Sequence, residues 1–242
     1  MVGTLYGISA GPGDPELITL KGVRILQNSP VVAFPEGLRG KPGIAERIVA
    51  QWLHPEKTQL PLKFPYVRDE AVLAQAWQEA SDRVWSHLAA GEDVAFVSEG
   101  DVSFYSTFTY LAQTLQRNHP EAIVQAIPGV SSPMAAAAEL GIPLVTRDRR
   151  LLVLPTLYAV EDLERALDSA EVVVLMKFGS VYERVWQVLQ RRDLLDRCWI
   201  VERATHPDRK IYTDLRDRPK LDLSYFSVAI VWVVPPGNIE SC

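Results

Sequence analysis

Residues 7–22 read Gly7-Ile8-Ser9-Ala10-Gly11-Pro12-Gly13-Asp14-Pro15-Glu16-Leu17-Ile18-Thr19-Leu20-Lys21-Gly22. An apolar run passes through a loop of glycine and proline into an amphipathic segment, the pattern of strand, tight turn and helix. Gly11 and Gly13 can take backbone angles closed to other residues and leave no side chain in the way of a ligand or a second loop. Asp14 is a good helix N-cap, and Pro15 suits a first helical position because its missing N–H would have gone unpaired there. Two phosphate-loop templates fail on these residues. The dinucleotide pattern needs a third glycine where Glu16 stands, and the other needs a Gly-Lys-Ser/Thr ending that is absent.

The same grammar recurs downstream. Val94 to Ser98 is rich in strand formers and runs into Glu99-Gly100-Asp101-Val102-Ser103-Phe104-Tyr105-Ser106-Thr107, after which Phe108, Leu111, Ala112 and Leu115 mark a helix. Ile123 to Ile127 runs into Pro128-Gly129-Val130-Ser131-Ser132, followed by a small-residue helix from Met134 to Leu140. In open α/β sheets, polar glycine loops at the carboxyl ends of strands are where ligands bind.

Between these landmarks, helices are expected over 17–27, 44–53, from an Asp69 cap through Leu73, Trp77, Ala80, Val84 and Leu88 to Gly91, and over 162–167 and 181–189. Strands are expected over 30–34, 60–64, 151–154, 172–176, 197–201 and 228–234, with 210–213 as an edge candidate. The polar run Arg117-Asn118-His119-Pro120 breaks the pattern. Two successive α/β domains, 1–119 and 120–242, are the expected organisation.

The 242 residues are 48% hydrophobic and 23% charged, ordinary for a soluble globular protein, and the net charge of -5 argues against a general nucleic-acid binder. Cys198 and Cys242 make neither a disulfide framework nor a Cys/His metal spacing, so no metal site is expected and a reducing cytoplasm fits. No apolar run approaches membrane-spanning length, and no leader is read at the N-terminus.

Taken together, residues 5–22, Gly100-Asp101 through Tyr105-Ser106-Thr107, Ile127 to Ser132 and Val174-Leu175-Met176-Lys177 resemble the tetrapyrrole methylases, in order and over nearly the whole chain. The resemblance implies two α/β domains with a ligand cleft between them, S-adenosylmethionine as methyl donor, S-adenosylhomocysteine as product, and a homodimer. It implies methylation of the C20 meso carbon of precorrin-2, or of its cobalt-containing counterpart, in cobalamin synthesis. Another corrinoid carbon, or a non-catalytic sensor keeping the same cleft, are the alternatives. By motif position Pro12, Glu99, Gly100, Asp101, Phe104, Ser131, Ser132, Met176, Ala204, Thr205, Ser227 and Val228 would contact the cofactor, and Pro12 and Tyr105 the substrate. Where the family commonly has proline after Gly-Asp, this chain has Val102.

Methyl transfer from a sulfonium needs no enzyme nucleophile, but the acceptor carbon must lose a proton. Asp101, an ionisable group in a glycine loop, is the candidate base; its competing reading is an Asx turn that shapes the loop. A tetrapyrrole bearing eight carboxylates needs cations. Arg39, Lys41, Lys63 and Arg68 are candidates, and the cluster Arg147, Arg149 and Arg150 is the foremost.

Overall fold

The computed structural model describes residues 1–37, 41–65, 67 and 69–235. It divides into two compact units, 1–131 and 132–242.

In the first unit, five parallel strands are β1 (Thr4–Ser9), β2 (Val31–Pro35), β3 (Thr58–Leu62), β4 (Val94–Ser98) and β5 (Ile123–Ile127), in the order β3-β2-β4-β1-β5. Helices α1 (Leu20–Asn28), α2 (Ile44–Val49), α3 (Glu70–Ala89) and α4 (Thr107–Asn118) make the crossovers. Every residue of β4 is buried, as expected of a central parallel strand covered on both faces. One cluster gathers Val84, Leu88, Phe96, Phe108, Leu111 and Leu115; another gathers Ile8, Leu26, Val32, Ile48 and Val97. The two clusters take alternate residues of the same strands, as the period-two geometry of a strand requires.

The domain boundary expected after His119 is corrected. β5 pairs with β1 from Thr4↔Ile123 to Ile8↔Ile127, so the strand assigned to the second domain is the edge of the first sheet, and the division falls at Ser131. The polar run is the end of α4, and His119 stacks on Trp85 with ring centroids 3.9 Å apart. The first helix also differs. Asp14 does cap a turn, accepting the Glu16 N–H at 2.9 Å, but this is a 3₁₀ turn over Pro15–Leu17; α1 starts afresh behind Thr19, whose hydroxyl accepts the Gly22 N–H at 3.1 Å. Asp69 caps α3 as expected, accepting from Ala71 and Val72.

The second unit holds α5 (Ser132–Leu140), β6 (Leu151–Leu154), α6 (Val160–Ser169), β7 (Val172–Met176), α7 (Tyr182–Arg191), β8 (Cys198–Glu202), β9 (Lys210–Tyr212) and β10 (Ser227–Trp232). The order is β6-β7-β10-β8-β9. β6 and β7 are parallel, but β10 enters antiparallel to both β7 and β8, with Val228 opposite Met176 and Ser227 opposite Glu202. β7 and β10 are buried along their whole length. β9 lies on the edge, as expected. Leu163, Leu167, Leu175, Phe178, Val185, Leu189 and Ile200 belong to one core cluster under α6 and α7.

Gly7 is a packing requirement. A Cβ there would stand 2.5 Å from the Phe108 ring, inside contact distance. Gly7→Ala is therefore expected to destabilise the chain by about 1–3 kcal/mol in urea unfolding, and the double variant with Phe108→Leu to recover part of that loss.

Candidate functional site

The order β4-β1-β5 places the three glycine loops on three adjacent strands, all at their carboxyl ends. Hydrogen bonds then fuse them. Ala10 N–H donates to the Ser98 carbonyl at 2.9 Å, and Gly11 and Gly100 form an antiparallel bridge, each donating to the other at 3.2 and 2.8 Å. Both glycines hold positive φ, 78° and 70°, where a side chain is strained. Ser9, almost fully buried, donates its hydroxyl to the Ile127 carbonyl at 2.7 Å and accepts the Val102 N–H at 2.9 Å, touching the other two strands' loops at once. A Cβ on Gly129 would lie 2.4 Å from that of Ser9, so the third loop closes onto the first only with glycine there.

Asp101 completes the assembly. One carboxylate oxygen accepts the N–H and hydroxyl of Ser103, and the other accepts the Gly129 N–H at 2.7 Å. Burial by itself would raise this carboxyl's pKa; the three hydrogen bonds together outweigh it and hold the group below the usual aspartate value. The structure thus displays the Asx-turn geometry, with both oxygens engaged and the carboxyl a weaker base than a free aspartate. Val102, in place of the family's proline, uses the N–H that proline would lack to reach Ser9.

Among the expected contact residues, Pro12, Glu99, Gly100, Asp101, Phe104, Tyr105 and Ser131 lie in these loops of the first unit. Tyr105 is 52% exposed, holds φ of 52° and meets Phe104 edge-on at 4.8 Å between centroids. Above Gly100 the space is open: a Cβ would meet nothing within 4 Å.

Ser132 opens α5 of the second unit. Met176, Ala204, Thr205, Ser227 and Val228 lie at one end of the sheet's central strands, because the antiparallel entry of β10 sets its first residues beside the last of β7 and β8. Lys177 N–H donates to the Ser227 carbonyl at 3.3 Å and Arg203 N–H to the Phe226 carbonyl at 2.8 Å. Lys177, Arg203 and Thr205 all take left-handed angles, with φ of 54°, 54° and 67°. Such a concentration of strained non-glycine residues is characteristic of functional edges. Glu202, 5% exposed, accepts the Ser224 N–H at 3.0 Å with one oxygen, while its other oxygen and the Ser224 hydroxyl find no hydrogen-bond partner among the described residues. Spacing along the sequence gives no sign of this Glu202–Ser224 pairing.

The basic cluster is not brought to this end. Arg149 and Arg150 immediately precede β6 and lie at the opposite end of the sheet, since Leu151 pairs with Val172 at the start of β7. Arg150 grips Glu171 through Nη2 at 2.7 Å, Nε at 3.2 Å and its own N–H at 2.8 Å, which holds the Glu171 carboxyl down to about 2. Arg149 donates to the Val234 carbonyl at 3.0 Å and sits 5.1 Å from the Trp232 ring centre. Both are engaged by partners within this unit. Arg147 lies in the same connection with φ of 53°. Lys41 and Lys63 are exposed in the segments that follow β2 and β3, whereas Arg39, Arg68 and Cys242 fall outside the described residues.

The chain is thus built of two α/β units, one carrying fused glycine loops at its strand ends and the other the strained residues Lys177, Arg203 and Thr205. The family model for Tetrapyrrole (Corrin/Porphyrin) Methylases matches residues 4–218, and the chain belongs to that family. The cobalamin biosynthesis protein CobIJ of Mycobacterium tuberculosis is 35% identical over 95% of this chain, which spans 46% of that longer protein. A precorrin-2 C(20)-methyltransferase from a Sinorhizobium species is 33% identical over 95% of both chains. A cobalt-precorrin-2 C(20)-methyltransferase of Salmonella typhimurium is 31% identical over 96% of this chain and 97% of its own. Among solved structures, the uroporphyrin-III C-methyl transferase of Thermus thermophilus complexed with S-adenyl homocysteine has a TM-score of 0.69 at 23% identity, covering 95% of this chain and 97% of that one.

The loop brace has a pH signature. A native pKa depressed below the unfolded value of about 3.9 stabilises the fold fully above that value, and the contribution is lost as pH falls through the lower native pKa. Asp101→Asn should cost about 1–3 kcal/mol at pH 7 in urea unfolding, because its amide N–H₂ faces a donor. The gap from the parent chain should narrow as pH drops below 4; a pH-independent gap would contradict the brace.

Proposed function

We propose that this chain transfers a methyl group from S-adenosylmethionine to C20 of precorrin-2 or cobalt-precorrin-2 in cobalamin biosynthesis. The observation that carries the reading is the fused trio of loops at adjacent strand ends in a chain of this family. Relatives named for the C20 reaction, matched along almost their full length, support it.

The residues present fit an S-adenosylmethionine site. Gly100 leaves open room where any side chain would intrude, and Met176 and Ala204, both nearly buried, give this end of the second unit an apolar surface. Pro12, Glu99, Gly100, Asp101, Phe104 and Ser131 are the cofactor residues assigned in the first unit. Ser132, Met176, Ala204, Thr205, Ser227 and Val228 are those assigned in the second. When bound, the cofactor supplies an electrophilic methyl on its sulfonium sulfur.

The chain's own work is placement. Holding donor and acceptor at near-attack distance lowers such barriers by roughly 7–11 kcal/mol in favourable cases. The Ser9 and Asp101 hydrogen bonds serve this by fixing the loops before the ligand arrives. With both oxygens engaged, Asp101 is assigned to loop organisation, and the C20 proton passes to water or another base. Pro12 and the exposed Tyr105 are assigned to the tetrapyrrole. A homodimer acting in the cytoplasm belongs to the same reading, on family likeness. Among the described residues no helix is long and apolar enough to cross a membrane.

Incubation with S-adenosylmethionine and precorrin-2, with and without cobalt, should give a product with one added methyl at C20, located by mass spectrometry and NMR. A methyl on another carbon would replace the acceptor, and tetrapyrrole binding with no transfer would make the chain a sensor. In calorimetry, Gly100→Val should weaken S-adenosylhomocysteine binding about tenfold or more. Its unfolding free energy should fall by only about 1–2 kcal/mol, the cost of a side chain at positive φ.

A further inference from the structure

Lys177 stands directly after Met176, at the strained strand end of the second unit, and has no role in the reading above. Its left-handed φ of 54° is uncommon outside glycine and is held by the hydrogen bond from its N–H to the Ser227 carbonyl. Its ammonium lies 5.2 Å from the centre of the Tyr225 ring, which is 45% exposed. It makes no ion pair with any described residue. The basic residues of the loop after β8 are paired: Arg203 meets Asp208 at 2.6 Å, and Arg209 meets Glu139 at 2.7 Å. The cluster before β6 is committed as well, Arg150 to Glu171 and Arg149 to Val234 and Trp232. At this strand end Lys177 thus combines a strained backbone, a half-buried position and, among the described residues, a charge faced by an aromatic ring. Such a face attracts a cation without neutralising it, so the ammonium keeps its three donors for an incoming anion.

We propose that Lys177, backed by Tyr225, binds a carboxylate of the tetrapyrrole and so helps set the orientation of the acceptor ring. This rests on the C20-methyltransferase reading. The chemistry fits because the substrate offers carboxylates around its whole rim while the chain is net negative by -5, so anchoring depends on individually placed cations. The cofactor's methionine carboxylate is the other anion of the same chemistry, and the experiment separates the two.

Lys177→Gln and Lys177→Arg should be compared with the parent chain. S-adenosylhomocysteine binding is read by calorimetry, precorrin-2 binding by absorbance titration, and folding by thermal unfolding. The proposal expects Lys177→Gln to raise the precorrin-2 dissociation constant by roughly tenfold or more and to flatten its salt dependence. It expects unchanged S-adenosylhomocysteine affinity and partial recovery in Lys177→Arg. Loss of S-adenosylhomocysteine affinity alone would assign the lysine to the cofactor and overturn the proposal, as would unchanged affinity for both ligands. A parent chain that binds no tetrapyrrole would overturn the C20 reading and this inference with it, whereas an active parent with an indifferent Lys177→Gln overturns only the inference.

Discussion

Asp101 receives the Gly129 N–H on one oxygen and the Ser103 N–H and hydroxyl on the other, while Ser9 ties the strand ends of β1, β4 and β5 from below. The N–H groups of Val102, Ser103 and Gly129 are thereby paired within the loops. This is possible because the sheet order makes the three strands neighbours. It also has a chemical consequence: a carboxylate that holds three donors is spent on shape. The loops are preorganised, and the reaction assigned to them needs placement more than it needs a protein base.

The second unit reaches a comparable strand end by a different route. Its sheet is mixed, and β10 runs against both neighbours, so its first residues meet the last residues of β7 and β8. Three non-glycine residues there accept left-handed backbones. In the first unit glycines absorb that geometry at the bridge between loops, leaving room; in the second, side chains are kept. Keeping them places Lys177, Arg203 and Thr205 where a ligand could read them, at an expected cost of about 1–2 kcal/mol each.

Much of this was legible in the residues, for identifiable reasons. Turn chemistry marks loops locally, so Gly11-Pro12-Gly13, Gly100-Asp101 and Pro128-Gly129 announced themselves, and the β-branched runs at 94–98 and 172–176 fell where strands form. The rest depends on pairings that the local pattern does not carry. The polar run Arg117-Asn118-His119-Pro120 looks like a linker, but β5 belongs to the first sheet through pairing with β1, over a hundred residues away. Asp14 reads as a helix N-cap and caps a 3₁₀ turn, while Thr19 offers a second cap and the chain uses both. Arg149 and Arg150 read in sequence as loop charges, and their partners Glu171, Val234 and Trp232 come from distant parts of the chain. Lys177 carries no signal of its own in the sequence, because a single lysine makes no pattern.

The central proposal is that the residues assigned to the methyl donor are the ones that bind it. Amide hydrogen exchange with and without S-adenosylhomocysteine tests it most directly. The account predicts added protection confined to residues 10–14, 99–105, 128–132, 176–178, 202–205 and 225–228. Protection centred on 147–151, at the far end of the second sheet, with the glycine loops unchanged, would contradict it.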